Sequence, residues 1–278
     1  MEVRLHSSAD EFRQIAEPLY RRDPVAHTIE LTLLAGVVLP ADTFLMSVWA
    51  GGTAVGAALQ TPSYPLACNG IPVEAIGPVV ADLAGLRPDL CGVRGDRSSA
   101  VAFADAWRAK TGQETTIGTE ERLYRLGRLQ APEGVAGEPR DATAADRGLL
   151  ANWVGLFFED AFGDAPNDRG EAFVDSSQRA GHRFLLWEVD GAPVGMAMLR
   201  IPASGVSRIG PVFTPRDQRG HGYGSAVTAA AVQLAHRNGT PDVVLFADLA
   251  NPTSNAIYQR IGFEAVADSV RIDFVTLD

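Results

Sequence analysis

The segment Arg219-Gly220-His221-Gly222-Tyr223-Gly224-Ser225 has the composition of a phosphate cradle. It follows an apolar run, Ile209 to Phe213, and precedes an Ala-rich helical segment, Ala226 to His236. A strand that ends in a glycine-rich turn and opens a helix aims several unpaired backbone N–H groups at one point, and the helix N-terminus adds partial positive charge there. Glycines let the backbone approach a phosphate closely and take up φ > 0 without strain. Arg208, Arg216 and Arg219 flank the loop and concentrate positive charge. Two phosphate loops are excluded by spacing. The segment holds no lysine for a Walker loop. Gly220-x-Gly222-x-Gly224 is not the dinucleotide fingerprint, and no acidic residue follows at the required distance. A plain strand-to-helix turn could carry the same glycines.

A second constellation lies downstream. Val243-Val244-Leu245-Phe246 reads as a buried parallel strand. After it come Asn251-Pro252-Thr253-Ser254-Asn255-Ala256-Ile257-Tyr258 and then Gly262-Phe263. Asn251 suits a helix cap, Pro252 the first helical turn and Gly262 the C-terminal stop. Arg219-x-x-Gly222-x-Gly224 resembles the acyl-CoA pyrophosphate loop of the GNAT acyltransferase superfamily. The Asn251, Asn255, Tyr258, Gly262-Phe263 segment resembles that family's second signature. The two occur in the family's order, with a helix and a strand between them.

The resemblance implies a mixed α/β fold: a twisted, mostly antiparallel sheet flanked by helices. It implies direct attack of an amine on the thioester of acetyl-CoA or another acyl-CoA, with no metal. Backbone amides of Arg219, Gly220, His221, Gly222, Tyr223, Gly224 and Ser225 would bind the pyrophosphate. The strand end Val212, Phe213 and Thr214 would pair with the pantetheine arm, and a backbone N–H there would polarise the thioester carbonyl. Val212 and Phe213 also suit core positions, since side chain and backbone do different jobs. Tyr258 is the candidate general acid, because a phenol with a pKa near ~10 is protonated at neutral pH and can supply a departing thiolate. Asn255, on the same helical face, would contact the pantetheine arm or support the local backbone, and Asn251 is grouped with it. His221 would donate to a phosphate or face water. The general base is left open among His182, Glu188 and Asp248.

The acceptor site would draw on the first helices of the same half. Trp153, Phe157, Phe158, Glu159, Asp160, Phe162 and Asp164 combine aromatic rings with carboxylates, a mixture that suits an ammonium-bearing ligand. An amphipathic helix with a solvated end has the same composition. The expected activity is N-acetyl transfer to a small-molecule or peptide amine. The alternative is a non-catalytic acyl-CoA sensor.

The elements that must position these residues repeat along the chain. Ser8-x-x-Glu11 and Thr143-x-x-Asp146 both read as capping boxes before helices with apolar spacing. Phe44–Trp49 turns at Gly51-Gly52 into Ala54–Leu59, and Phe184–Val189 turns at Asp190-Gly191 into Pro193–Leu199. A helix over Ser99–Lys110 ending at Gly112 corresponds to Thr253–Ile261 ending at Gly262, and strands Thr115–Leu129 and Ala265–Leu277 follow. Two tandem units are expected: residues 1–130 without the CoA loop, a Gly- and Pro-rich linker at 131–137, and a catalytic unit at 138–278. Ile71–Leu86 reads as a helix in place of the glycine loop. Ile76-Gly77-Pro78-Val79 repeats Ile209-Gly210-Pro211-Val212 letter for letter, which reads as chance.

Composition bounds the rest. The 278 residues are 46 % hydrophobic, ample for packed cores. The net charge of −10 argues against nucleic acid as a partner and is compatible with a cationic substrate. No signal pattern opens the chain, and the apolar stretch Leu31–Leu39 is too short to span a bilayer, so a cytoplasmic protein is expected. Cys68 and Cys91 have no His or Cys cluster near them and read as reduced thiols.

Overall fold

The computed structural model describes residues 1–36, 39–40, 42–163 and 169–275. The chain forms two compact units, Met1–Arg122 with Ala267–Asp278, and Leu123–Val266.

The first unit contains β1 (Glu2–Leu5), α1 (Ala9–Tyr20), α2 (Thr28–Ala35), β2 (Phe44–Ala50), β3 (Thr53–Gln60), β4 (Leu66–Ala67), α3 (Ile76–Leu86), β5 (Gly92–Asp96) and α4 (Arg97–Thr111). It also holds most of β6 (Glu114–Leu126). Ser8 caps α1 by accepting from the Glu11 N–H. The β2–β3 hairpin turns at Gly51 and Gly52, both at positive φ, as a tight two-residue turn requires. In place of a glycine loop, a 3-10 turn over Val73–Ala75 runs into α3, which buries Ile76, Val79, Val80 and Leu83. Residues 267–275, which the sequence groups with the second half, pack in this unit. Their strand is 13 residues long, and Ser269–Asp273 pair antiparallel with β5. Phe274 stacks on buried Trp107 at 5.1 Å, so the end of the chain completes this unit's core.

The second unit follows with β7 (Glu138–Asp141), α5 (Arg147–Phe162), α6 (Arg169–Arg179), β8 (Arg183–Val189), β9 (Ala192–Leu199), β10 (Val206–Phe213), α7 (Tyr223–Arg237), β11 (Asp242–Asp248), α8 (Pro252–Arg260) and the start of β12 (Phe263–Val275). Its strands run in the order β6-β11-β10-β9-β8-β7. All neighbouring pairs from β7 to β10 are antiparallel, and β10 lies parallel to β11. The Asp190-Gly191 turn has both residues at positive φ, the geometry that lets a right-twisted hairpin close in two residues.

Two apolar layers cover the sheet. On one side Val227, Ala230, Ala231 and Leu234 of α7 pack on Ala197, Leu199, Ile209, Val243 and Leu245. On the other, Leu150, Trp153, Val154 and Val174 pack on Phe184, Leu186, Met196, Met198 and Phe213. The alanines keep α7 close to the strands that carry the loop. Thr143 and Asp146 form the expected reciprocal cap, and Arg140 bridges Asp146 and Glu188.

The Gly- and Pro-rich stretch before β7 is held along its backbone. The Gly127 and Gln130 N–H groups donate to Gly262 O and Ile261 O, and the Trp187 indole donates to Ala136 O at 2.8 Å. Few apolar side chains are needed when the main chain itself is bonded. Among the described residues, no helix is long and apolar enough to cross a membrane.

Candidate active site

The parallel ladder between β10 and β11 runs from Val206↔Asp242 to Ile209↔Leu245 and ends there. Beyond it β10 continues to Phe213 and β11 to Asp248. The β10 register against β9 shifts between Ile209 and Val212. Pro211 sits inside this bulge, where a residue with no N–H leaves no ladder bond unmade. The two parallel strands therefore diverge, leaving Gly210–Phe213 on β10 with an edge that an extended ligand could pair with. The side chains along that edge are committed elsewhere. Phe213 is buried against Trp153, with ring centroids 6.1 Å apart, and Val212 packs on the opposite, α7 side. Strand alternation separates them, so the backbone between them stays available.

The glycine loop begins where β10 ends. A 3-10 turn over Arg216–Gln218 leads to Gly220 at φ +88° and Gly222 at φ +85°. Gly222 is the N-cap of α7 and offers no side-chain cap. The first amides of the helix, at Tyr223, Gly224 and Ser225, thus lack intrahelical acceptors and face outward from a dipole end. A Cβ on Gly222 would come within 3.1 Å of Val135 Cγ2, so the loop fits closely against the strap before β7. His221 stacks on Tyr223 at 5.4 Å and its Nδ1 lies 3.3 Å from Gln218 O, so the ring braces the turn.

The loop arginines are already paired. Arg216 and Arg219 each donate to one oxygen of Asp160, both at 2.6 Å, and Arg219 Nε donates to Thr214 O. Asp160 was expected to face an ammonium ligand; instead the two guanidinium groups hold its carboxyl below the usual range. Arg208 does not flank the loop as expected. It pairs with Val244 near the start of β10, six residues and about 20 Å of strand from Thr214. His182 lies at that remote end, its Nε2 3.3 Å from Arg200. Burial, with the charges of Arg200 and Arg208 adding to it, pushes the imidazole down to about 4. A base there would be uncharged at neutral pH but lies away from the loop.

The other candidate bases have structural partners. Glu188 accepts from Arg140 Nε at 2.9 Å. Asp248 Oδ1 accepts from the Ala250 N–H at 2.8 Å, closing the turn after β11. Among the acceptor candidates, Trp153 is buried in the core and Phe157 packs on the same layer, while Glu159 is exposed on α5. Asp164 lies outside the described residues.

On α8, Asn251 caps the helix by accepting from the Ser254 N–H at 3.0 Å. The Asn255 amide is engaged on all sides. Its Nδ2 donates to Asp248 O and Asn251 O at 2.7 and 2.8 Å, and its Oδ1 accepts from the Tyr124 hydroxyl at 2.8 Å. Of its two expected roles, this arrangement is support of the local backbone. Tyr258, one turn further on, packs edge-on to Phe263 at 6.2 Å, and burial pushes its phenol up to about 12. It is fully protonated at neutral pH. Sequence reasoning missed Tyr124 and the Asp160 clamp: Tyr124 lies 131 residues from Asn255, and nothing local marks it.

A sequence model of the acetyltransferase (GNAT) family matches residues 149–263, inside the second unit and across both signatures. A mycothiol acetyltransferase from Clavibacter sepedonicus is 27% identical over 213 residues, covering 73% of this chain and 67% of that protein. A second, from Beutenbergia cavernae, is 27% identical and covers 70% of each. Among solved structures, a tandem GNAT protein from the clavulanic acid biosynthesis pathway superposes with TM-score 0.60 at 16% identity over the whole of both chains. A GNAT protein from Sphaerobacter thermophilus gives TM-score 0.60 at 18% identity, over 100% of this chain and 97% of that one. Likeness at this identity speaks for the fold; the matched signatures, their order and the diverging strands speak for the family. Residues 149–263 belong to the acetyltransferase (GNAT) family.

Proposed function

We propose that the second half of the chain transfers an acetyl group from acetyl-CoA to a primary amine by direct attack. The observation that carries this is the divergence of β10 and β11 beyond Ile209 and Leu245, with the Gly220/Gly222 loop and the uncapped start of α7 at its mouth. The pyrophosphate would lie on the amides from Gly220 to Ser225, with Arg216 and Arg219 turned toward it. The pantetheine arm would pair along Gly210–Thr214, and an amide of that strand would polarise the thioester carbonyl.

The amine nitrogen forms the new C–N bond as the C–S bond breaks, and one amine proton ends on sulfur. Tyr258 is the group assigned to that last step. With its phenol pushed up to about 12, it cannot give its proton away in advance. It donates as charge develops on the thiolate and regains a proton from the attacking nitrogen through solvent. Asn251 and Asn255 hold the turn that carries it. The acceptor would be a small amine bound beside α5, a reading that the mycothiol acetyltransferase relatives support only as to class. In this reading the chain is a tandem of two GNAT-like halves, and the first, without the loop, holds no CoA.

Binding without turnover is the competing reading, favoured by the structural engagement of both Glu188 and Asp248. Incubation with acetyl-CoA and a panel of primary amines, followed by free thiol release, separates the two. Amine-dependent release is expected. Acetyl-CoA binding with no release across a broad panel supports the sensor.

A further inference from the structure

We infer that Tyr124, near the end of β6 where the chain enters the second unit, is a positioning residue for the acyl-CoA site. This rests on the proposed function. Tyr124 lies on β6 and is fully buried in the core beneath α7. Its hydroxyl belongs to a chain of hydrogen bonds with a fixed direction. Gln259 Nε2 donates to the Tyr124 oxygen at 3.3 Å, so that oxygen's own proton goes to Asn255 Oδ1 at 2.8 Å. With Oδ1 occupied, the Asn255 NH₂ must point the other way, to Asp248 O and Asn251 O.

These two carbonyls belong to the turn that ends β11 and opens α8. The turn forms the far wall of the divergence between β10 and β11, and α8 carries Tyr258 one turn on. An asparagine amide can otherwise rotate by half a turn and present its oxygen to the same carbonyls, repelling them. Tyr124 removes that alternative. Without it, Asn255 Oδ1 is left without its donor, and only the two carbonyls that accept from Nδ2 still favour this orientation of the amide. Tyr124 thus supplies the site with an orienting hydroxyl and no contact with the reacting atoms.

The test is Tyr124→Phe, which keeps the ring and its packing, read by calorimetric binding of acetyl-CoA and by steady-state kinetics. The expected result is about a tenfold rise in Kd and KM for acetyl-CoA and a fall in kcat, with KM for the amine unchanged. Tyr124→Phe should add nothing in an Asn255→Ala background, because the group it orients is gone. Gln259→Ala, at an exposed position, should give a smaller change in the same direction. A Tyr124→Phe protein that binds and turns over acetyl-CoA like the parent overturns the inference. So does an equal loss in both backgrounds, which would mean general core damage. If the parent chain binds no acetyl-CoA at all, the proposed function falls and takes this inference with it.

Discussion

Gly224→Asp separates binding at the loop from folding of the loop. Gly224 is the second residue of α7 and does not need positive φ, unlike Gly220 and Gly222. A Cβ at this position meets only Thr214 Oγ1, at 3.4 Å, which is ordinary contact. The added carboxylate lies in the first turn of a helix, where it stabilises by about 0.3–1 kcal/mol, and replacing glycine inside a helix adds to that. Tm should therefore hold or rise. A pyrophosphate on the same amides would meet the new charge at roughly 4 Å. At an effective dielectric of about 20 that repulsion is about 4 kcal/mol, close to three decades in affinity. Gly224→Asn has the same size without the charge and should lose much less. Acetyl-CoA affinity is measured by calorimetry for all three proteins, at two ionic strengths, with Tm alongside. Near-parental binding by Gly224→Asp in a folded protein would refute the placement of the pyrophosphate. So would equal losses for the Asp and Asn variants.

Tyr258→Phe should cut kcat about 100-fold or more with little change in acetyl-CoA affinity; loss of binding in calorimetry would remove the acid assignment. Because burial raises this phenol to about 12, its stabilising effect is complete below the ordinary tyrosine value of 10.0 and is lost as pH rises through about 12, so alkaline unfolding should shift upward in pH in the Phe variant. Asp160→Asn releases Arg216 and Arg219 from their clamp and should tighten acetyl-CoA binding, most clearly at low salt; weaker binding would mean that the clamp holds the arginines in their working position. A fragment of residues 131–278 lacks Tyr124 and the rest of β6 and should show no cooperative thermal transition by circular dichroism, whereas a stable, folded fragment would show that β6 is dispensable.

Much of the site was legible because its parts are local. The glycines of 220–224 lie within one turn, and Asn251, Pro252, Asn255, Tyr258 and Gly262 mark the start, face and end of one short helix. Capping boxes, the Asp190-Gly191 turn and the apolar run of β11 are likewise set by neighbours within a few residues. The bridging residues were not legible. Asp160 and Arg219 are 59 positions apart, and Tyr124 and Asn255 are 131 apart. Nothing in the sequence around Arg208 says that the strand places its charge at the end remote from the loop. The aromatic and acidic character of α5 suggested a pocket. Packing gave Trp153 to the core and Asp160 to the arginines.

The tetrapeptide Ile-Gly-Pro-Val shows where the division falls. Residues 76–79 open α3, and residues 209–212 lie in β10. In the first case proline sits in a first helical turn, where no N–H is needed, and Val79, Val80 and Leu83 continue at helical spacing. In the second it sits in a bulge, between a strand that pairs on both sides and an edge that pairs on one. By itself the sequence determined the glycine loop, the capped helix and their order, since each is written in residues that touch one another along the chain. Only the tertiary structure decided where β10 leaves β11, which way Asn255 faces and what the loop arginines hold. Those depend on groups that meet only once the sheet is built.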